Sequence, residues 1–245
     1  VSGTSHIEHA PVVNFWWSGA VGRYAYQDGP SGRYLASDMC GSPANVSSPL
    51  RYRDVGYIHS VVLDGLPFDT IVHYTYGQAS VLNANNSFKT APDPSASRDL
   101  HWNFIGYGDQ GVSGAVADGE SELGHHTPGA YFVNSNLQRM VLGWESAGAK
   151  QDPGAPPVGT LGDTRFVLHF GDLSYARGVG FVWELWQTEV APLATRVPYM
   201  VSVGNHEYDH VTGGEKDPSN APGTGFHPSW GNYGDDSSGE CGVPV

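Results

Sequence analysis

Three apolar stretches of this chain each stop at a glycine that is followed by a residue able to bind a cation or a phosphate group. The stretches are Asn103–Gly111, Phe166–Tyr175 and Tyr199–Glu207. The residues in question are Asp109, Asp172, Tyr175, Asn205 and His206. A buried parallel strand delivers such a residue to the carboxyl edge of its sheet, which is where open α/β folds keep their ligands. The pattern therefore predicts one site built from three strand ends.

The residue types in this predicted site indicate a metal. Carboxylate, phenol and amide oxygens with one imidazole suit di- or trivalent cations better than soft copper(I) or a thiolate-bound zinc. Asp172 and Tyr175 stand three residues apart, so both can face one ion, while the Asp172 carboxylate can also bridge to a second. A phenol ionises near pH 10, so a tyrosine ligand favours a strong Lewis acid such as ferric iron, which lowers that pKa. We expect the glycine before each ligand to permit a sharp turn and to leave room for ions.

Each of these residues also has an ordinary structural interpretation. A single Gly-Asp at a strand end is more often a turn or a helix N-cap than a ligand, and Tyr175 alone could be a core residue. Three such strand ends in series favour the metal interpretation. Glu207 is expected to accept hydrogen bonds or to form a salt bridge rather than to act as a general base.

At these same residues the sequence resembles a known family. Gly108–Gly111, Gly171–Tyr175 and Gly204–Glu207 are similar to the first three of five signature blocks of the purple acid phosphatases, which are binuclear metallophosphoesterases. The stretches His169–Gly178 and Gly239–Pro244 resemble the larger, plant-type members, and the likeness extends over nearly the whole chain.

The resemblance implies a role for each candidate residue. Asp109 and Tyr175 would bind ferric iron, Asp172 would bridge the two ions, and Asn205 would bind a divalent partner, which is zinc, manganese or iron. His206 would be an outer residue that hydrogen-bonds the phosphate, next to Asn205 at the substrate. The implied reaction is the hydrolysis of small phosphate monoesters at acid pH.

The sequence departs from the family in one respect. The last two signature blocks of the family supply three further histidine ligands, and no two histidines separated by one residue occur in the 245 residues. We therefore expect a fragment that holds about half of a coordination sphere and is catalytically impaired. Three alternatives stay open: a phosphodiesterase or nucleotide-sugar pyrophosphatase of the same family, an inactive binding module, or a piece of a longer enzyme.

Composition limits the partners of this chain. It carries 12 Lys and Arg against 25 Asp and Glu, for a net charge of −13, which argues against nucleic acid. It has no apolar run long enough to span a membrane, and no signal peptide is visible. Asn45 and Asn85 begin glycosylation sequons, which together with the resemblance favour a secreted or vacuolar protein. The sequence does not show whether Cys40 and Cys241 form a disulfide, and it leaves the oligomeric state open.

The predicted fold class is all-β followed by α/β. Residues 1–92 resemble a fibronectin-III-like sandwich and are expected to be incomplete, because only five or six strands are predicted where about seven are needed. Residues 93–100 form a Pro/Ser linker, and residues 101–245 resemble the N-terminal half of a calcineurin-like metallophosphoesterase domain. The predicted strands of the first part are 12–17, 22–26, 57–63, 70–76 and 87–89. In the second part, helices over 131–145 and 181–193 connect the three strands of the site.

Overall fold

The computed structural model describes residues 11–20, 24–26, 31–78, 81–83, 85–96, 103–113, 130–142, 164–208 and 236–245. In its first part the described residues are all-β, with one short 3-10 turn at Ala36–Asp38. The strands are β1 (Pro11–Trp17), β2 (Tyr24–Tyr26), β3 (Ser31–Gly32), β4 (Ile58–His59), β5 (Ile71–Gln78), β6 (Val81–Leu82) and β7 (Asn86–Lys89).

A five-stranded antiparallel sheet forms around β1 and β5, which pair from Pro11 opposite Gln78 to Trp17 opposite Val72. Alternate residues of β1 are buried, among them Val13 and Phe15, as expected for a strand with one face against a core. Strands β3 and β4 form a separate two-stranded sheet.

Two predictions about this first part were wrong in detail. The strand predicted over 57–63 is reduced to Ile58–His59. The predicted number of strands was too low, because the two-residue strands β3 and β6 carry no sequence pattern of their own. The likeness to a fibronectin-III-like sandwich and the proposed domain boundaries stay predictions.

The second part is an α/β unit. Its elements are β8 (Asn103–Tyr107), α1 (Ala130–Leu142), β9 (Thr164–His169), α2 (Gly180–Ala194), β10 (Tyr199–Val201) and the single turn α3 (Asn205–Tyr208). The sheet is parallel, in the order β10-β9-β8. The predicted strand–helix alternation is therefore confirmed, while residues 143–145 of the first predicted helix lie outside the described residues.

Both long helices lie on one face of this parallel sheet. Leu137 of α1, Val167 of β9 and Leu193 of α2 form one buried cluster, which shows that the helices share that face. A second cluster lies along α2 and the loop before it, with Val112, Leu173, Ala176, Val179, Val182, Trp183, Trp186 and Val190. On the opposite face Phe104 and Met200 are more than half exposed. The buried face anchors the strands whose ends form the predicted site.

Several contacts join the two parts of the chain. The Tyr74 hydroxyl donates to the Thr195 carbonyl at 2.7 Å. Arg165 donates to Asp69 at 3.2 Å and to the Thr90 carbonyl at 3.3 Å. Cys40 and Cys241 form a disulfide across 201 positions of sequence, which settles the pairing that the sequence left open. No helix in the described ranges has the length and apolar character needed to cross a membrane.

Candidate metal centre

The loops after the three parallel strands meet at one edge of the sheet, as predicted. Asp109 comes two residues after β8, and its backbone N–H donates to the Gly171 carbonyl at 3.2 Å. The N–H of Gln110 donates to the Asp172 carbonyl at 3.1 Å, which continues this pairing of the first two loops. Behind the third loop, the Ser202 N–H donates to the His169 carbonyl at 3.0 Å. Asp109, Asp172 and Asn205 are therefore presented at the same sheet edge.

Tyr175 connects the two carboxylates of the site. Its hydroxyl lies 2.9 Å from Asp109 Oδ1 and 3.1 Å from Asp172 Oδ2. Burial raises the pKa of the Tyr175 phenol, and the hydrogen bond to Asp109 and the charge of Asp172 raise it further. The single phenol proton is shared between the two carboxylates, whereas a trivalent cation among the same three oxygens would favour the phenolate.

The backbone at these candidate ligands is in an unusual conformation. Asp109, Asp172 and Tyr175 have φ values of 56°, 53° and 53°, in the left-handed region that non-glycine residues rarely adopt. Such strain costs about 1–3 kcal/mol per residue and clusters at functional sites. Here it falls on three residues whose side chains converge, which favours a functional role for them.

Two of the three glycines before the ligands are required by close packing. A Cβ on Gly171, whose φ is +92°, would lie 2.5 Å from the Gly204 nitrogen. A Cβ on Gly204 would overlap Asp172 Oδ1. The glycine before Asp109 differs, because a Cβ on Gly108 would make only ordinary contacts, the nearest at 3.6 Å. Close packing therefore explains Gly171 and Gly204 but not Gly108, and the expected room for ions stays a prediction.

Glu207 holds the second and third loops together. Its carboxylate accepts hydrogen bonds from the backbone N–H of Asp172 at 2.7 Å, Leu173 at 2.8 Å and Gly204 at 2.9 Å. It is buried, and burial raises the pKa of the Glu207 carboxyl against the opposing effect of these N–H donors. With both oxygens occupied by backbone groups, Glu207 acts as the predicted acceptor, not as a base.

Asn205 and His206 begin the short helix α3 at the edge of the site. The Asn205 side-chain amide donates to Asp236 Oδ2 at 2.9 Å. The backbone N–H of His206 donates to Asp172 Oδ1 at 3.2 Å, and its ring centre lies 4.4 Å from that of Tyr175. His206 Nδ1 is buried and has no hydrogen-bond partner among the described residues. The imidazole therefore retains hydrogen-bonding capacity next to the candidate ligands.

The donor set present fits a hard cation. The described ranges contain no group of three or more His, Cys, Asp and Glu side chains that could hold an ion by themselves. The site instead combines the carboxylates of Asp109 and Asp172 with the Tyr175 phenol and the Asn205 carboxamide, all of which offer oxygen. The Tyr175 hydroxyl lies within 3.1 Å of one oxygen of each carboxylate, so one ion could contact all three side chains.

Sequence reasoning missed a polar layer beneath the site. Gln110 is 1% exposed and accepts a hydrogen bond from the Tyr107 hydroxyl at 2.6 Å. Its amide donates to Asn134 of α1 at 2.8 Å. His169 Nδ1 lies 2.9 Å from the Tyr199 hydroxyl, and burial lowers the pKa of His169 to about 4. These residues lie inside apolar stretches, where nothing in the sequence distinguishes a polar partner from a core residue. They were missed for that reason.

Comparisons with known proteins show what this chain is similar to. The structure matches that of purple acid phosphatase PPD1 from yellow lupin (Lupinus luteus) seeds with a TM-score of 0.70 and 25% identity, over 98% of this chain and 36% of the other. The Arabidopsis thaliana protein named "Probable inactive purple acid phosphatase 9" is 30% identical over 217 residues, which are 86% of this chain and 28% of that protein. This chain is related to the purple acid phosphatases.

The regions similar to the purple acid phosphatases make up most of this chain but only a minor part of each relative. A Hordeum vulgare protein named "Nucleotide pyrophosphatase/phosphodiesterase" is 29% identical over 161 residues, which are 65% of this chain and 33% of that protein. The chain thus spans about a third of the length of the curated relatives it matches. No family model matches it. The α/β unit is consistent with the metallophosphoesterase fold of the purple acid phosphatases.

Proposed function

We propose that this chain contributes Asp109, Asp172, Tyr175 and Asn205 to a binuclear metal centre that hydrolyses phosphate monoesters at acid pH. The observation that carries the proposal is the position of the Tyr175 hydroxyl, 2.9 Å from Asp109 and 3.1 Å from Asp172. Three oxygens from two loops converge there, with the side chain of a third loop beside them.

Each residue has a definite part in this proposal. Asp109 and Tyr175 would hold Fe³⁺, Asp172 would bridge, and Asn205 would hold Zn²⁺, Mn²⁺ or Fe²⁺. When bound, the two ions supply positive charge that neutralises phosphate oxygens and activates water. Glu207 fixes the loop that carries Asp172, because its carboxylate accepts hydrogen bonds from the backbone N–H groups of Asp172 and Leu173.

His206 is the residue proposed to contact the substrate phosphate. Its backbone N–H is committed to Asp172, which places the imidazole against Tyr175 at the edge of the site. A ring nitrogen that donates to a phosphate oxygen would stabilise charge that develops there. His206 would thereby act as the catalytic residue, and Asn205 would lie next to it at the substrate.

The proposed substrate is a small phosphate ester. The net charge of −13 opposes a nucleic acid, and bound cations would offset the acidity locally. Asn45 and Asn85 are both exposed, so both sequons can accept a glycan in a secreted or vacuolar protein. Loss of mass on treatment with an endoglycosidase would test that assignment.

Two other functions follow from specific observations. The name of the barley relative favours hydrolysis of a phosphodiester or a pyrophosphate. The word "inactive" in the name of the Arabidopsis relative favours a chain that binds ions or a ligand without turnover.

One experiment separates these functions. The chain, and any longer protein that contains it, would be loaded with Fe³⁺ and Mn²⁺ and the bound metals counted. Hydrolysis of para-nitrophenyl phosphate and of its bis-ester would then be compared at pH 5. If two ions bind and the monoester is hydrolysed faster, the result supports the proposal. If the diester is hydrolysed faster, the result supports hydrolysis of a phosphodiester or a pyrophosphate. Bound ions without turnover identify a binding module, and a chain that binds no ion overturns the metal centre.

A further inference from the structure

The segment 236–245 is held rigidly against both parts of the molecule. Cys241 forms the disulfide with Cys40, and the Cys40 N–H donates to the Gly239 carbonyl at 2.9 Å. The Gly242 N–H donates to the Glu207 carbonyl at 2.7 Å, which connects the segment to α3. Ser237, which follows Asp236, is 0% exposed, so the segment is buried from its second residue.

Glu240 adds a second anchor to this segment. It is 2% exposed and accepts hydrogen bonds from the Gly178 N–H at 2.8 Å and the Trp183 indole at 3.1 Å. Both donors belong to the region around the start of α2, which follows the loop that carries Asp172 and Tyr175. The segment is thus attached to the same framework as the candidate ligands.

The contact between Asp236 and Asn205 has a chemical consequence. A carboxylate only accepts hydrogen bonds, so the Asn205 atom 2.9 Å from Asp236 Oδ2 is its amide nitrogen. The Asn205 oxygen is then on the other side of the carboxamide. A rotation of the amide by half a turn would exchange the two atoms, and an amide nitrogen cannot ligate a cation. Asp236 therefore determines that the carboxamide of Asn205 presents its oxygen, not its nitrogen, on the side away from Asp236.

We propose that Asp236 is a positioning residue, which orients the Asn205 carboxamide so that its oxygen faces the divalent ion. The inference rests on the proposed binuclear centre, because it assigns Asn205 to the second ion. Residues that orient a metal ligand by hydrogen bonding commonly change metal affinity 10- to 100-fold when they are removed. The disulfide and Glu240 hold the segment from which Asp236 acts.

The test uses Asp236→Ala and the isosteric Asp236→Asn, with Asp64→Asn as the control. Asp64 is an exposed aspartate between β4 and β5, so its substitution removes the same charge without touching the site. The first readout is the pair of ¹H–¹⁵N signals from the Asn205 side-chain amide in metal-free protein. We expect both Asp236 variants to move this pair and the control to leave it in place.

The second readout is the affinity for Mn²⁺, measured by titration with the Fe³⁺ site already loaded. We expect Asp236→Ala to weaken Mn²⁺ binding about 10- to 100-fold. The visible absorption of an iron phenolate, which reports Tyr175, should stay unchanged in the same variant. The Asp64→Asn control should match the unaltered chain in both measurements.

The possible failures of this experiment are distinguishable. Unchanged Mn²⁺ affinity in both Asp236 variants overturns the role of Asp236, and so does a chain that takes up Fe³⁺ but no Mn²⁺. A chain that binds neither ion overturns the proposed function, and with it a role for Asp236 toward a metal. In every case an Asn205 amide signal that does not move in Asp236→Ala, which removes the acceptor altogether, shows that Asp236 does not orient the carboxamide.

Discussion

The Tyr175 hydroxyl lies 2.9 Å from Asp109 Oδ1, although 66 positions of sequence separate the two residues. The same hydroxyl lies 3.1 Å from Asp172 Oδ2, so one phenol joins the loops after β8 and β9. All three residues that make these contacts have left-handed backbone. Three such residues that bring three oxygens together support the proposed metal centre, because backbone strain clusters at functional sites.

Replacement of this phenol tests the ferric half of the centre. We expect Tyr175→Phe to abolish the iron phenolate absorption and to weaken Fe³⁺ binding by more than about tenfold, because the ring stays but the ligand oxygen is lost. Tyr131→Phe is the matched control, since Tyr131 is an exposed tyrosine on α1. Retention of the absorption in Tyr175→Phe would exclude Tyr175 as a ligand.

The close approach of Gly204 to Asp172 predicts a steric effect. We expect Gly204→Ala to lower the free energy of unfolding by about 1–3 kcal/mol, since a Cβ there overlaps the Asp172 carboxylate and must displace it. Metal uptake should fall as well. Gly32→Ala is the control, because a Cβ at Gly32 meets nothing within 4 Å. Urea denaturation of both variants checks this, and equal midpoints would contradict the predicted overlap.

The disulfide between Cys40 and Cys241 closes a loop of 201 residues, so it restricts the unfolded chain strongly. We expect the double variant Cys40→Ala, Cys241→Ala to be less stable by about 3–5 kcal/mol. The urea midpoint of tryptophan fluorescence measures this, and reduction of the unaltered chain should reproduce the shift. A midpoint unchanged by either treatment would show that the segment 236–245 is held without the disulfide.

The buried carboxyl of Glu240 predicts a dependence of stability on pH. Burial raises the pKa of Glu240 to about 8, well above its value in the unfolded chain. The folded state therefore binds this proton more tightly, so the contribution of Glu240 to stability is complete below pH 4 and is lost as the pH rises towards 8.

Glu240→Gln removes the titration and keeps one acceptor oxygen, for Gly178 or for Trp183, at the cost of the other bond at every pH. We expect the difference in urea midpoint between the unaltered chain and Glu240→Gln to change between pH 5 and pH 8, with the unaltered chain losing more stability. Comparison of the two proteins cancels the other buried groups, among them Glu207 and His169. Parallel pH profiles would refute the prediction.

Much of the α/β unit could be predicted from the sequence. Apolar runs that end in Gly and a ligand type, such as the one before Asp172, predicted parallel strands correctly. The expectation that these strands are buried was wrong for one face, because both helices cover the same side and leave Phe104 and Met200 more than half exposed. The helical spacing before Leu193 likewise predicted α2. The all-β part was harder, since a strand forms only where it finds a partner: Val61 and Leu63 continue an apolar pattern but lie outside β4.

By itself, the sequence determined which residues stand at the strand ends, and therefore that Asp109, Asp172 and Asn205 share one edge of the sheet. Only the tertiary structure decided the contacts that cross long distances along the chain. These are the disulfide of Cys40 and the contact of Asp236 with Asn205. Local periodicity reports on residues that are close in sequence. Contacts between residues far apart in sequence depend on how the sheets, helices and loops pack, which no local residue pattern specifies.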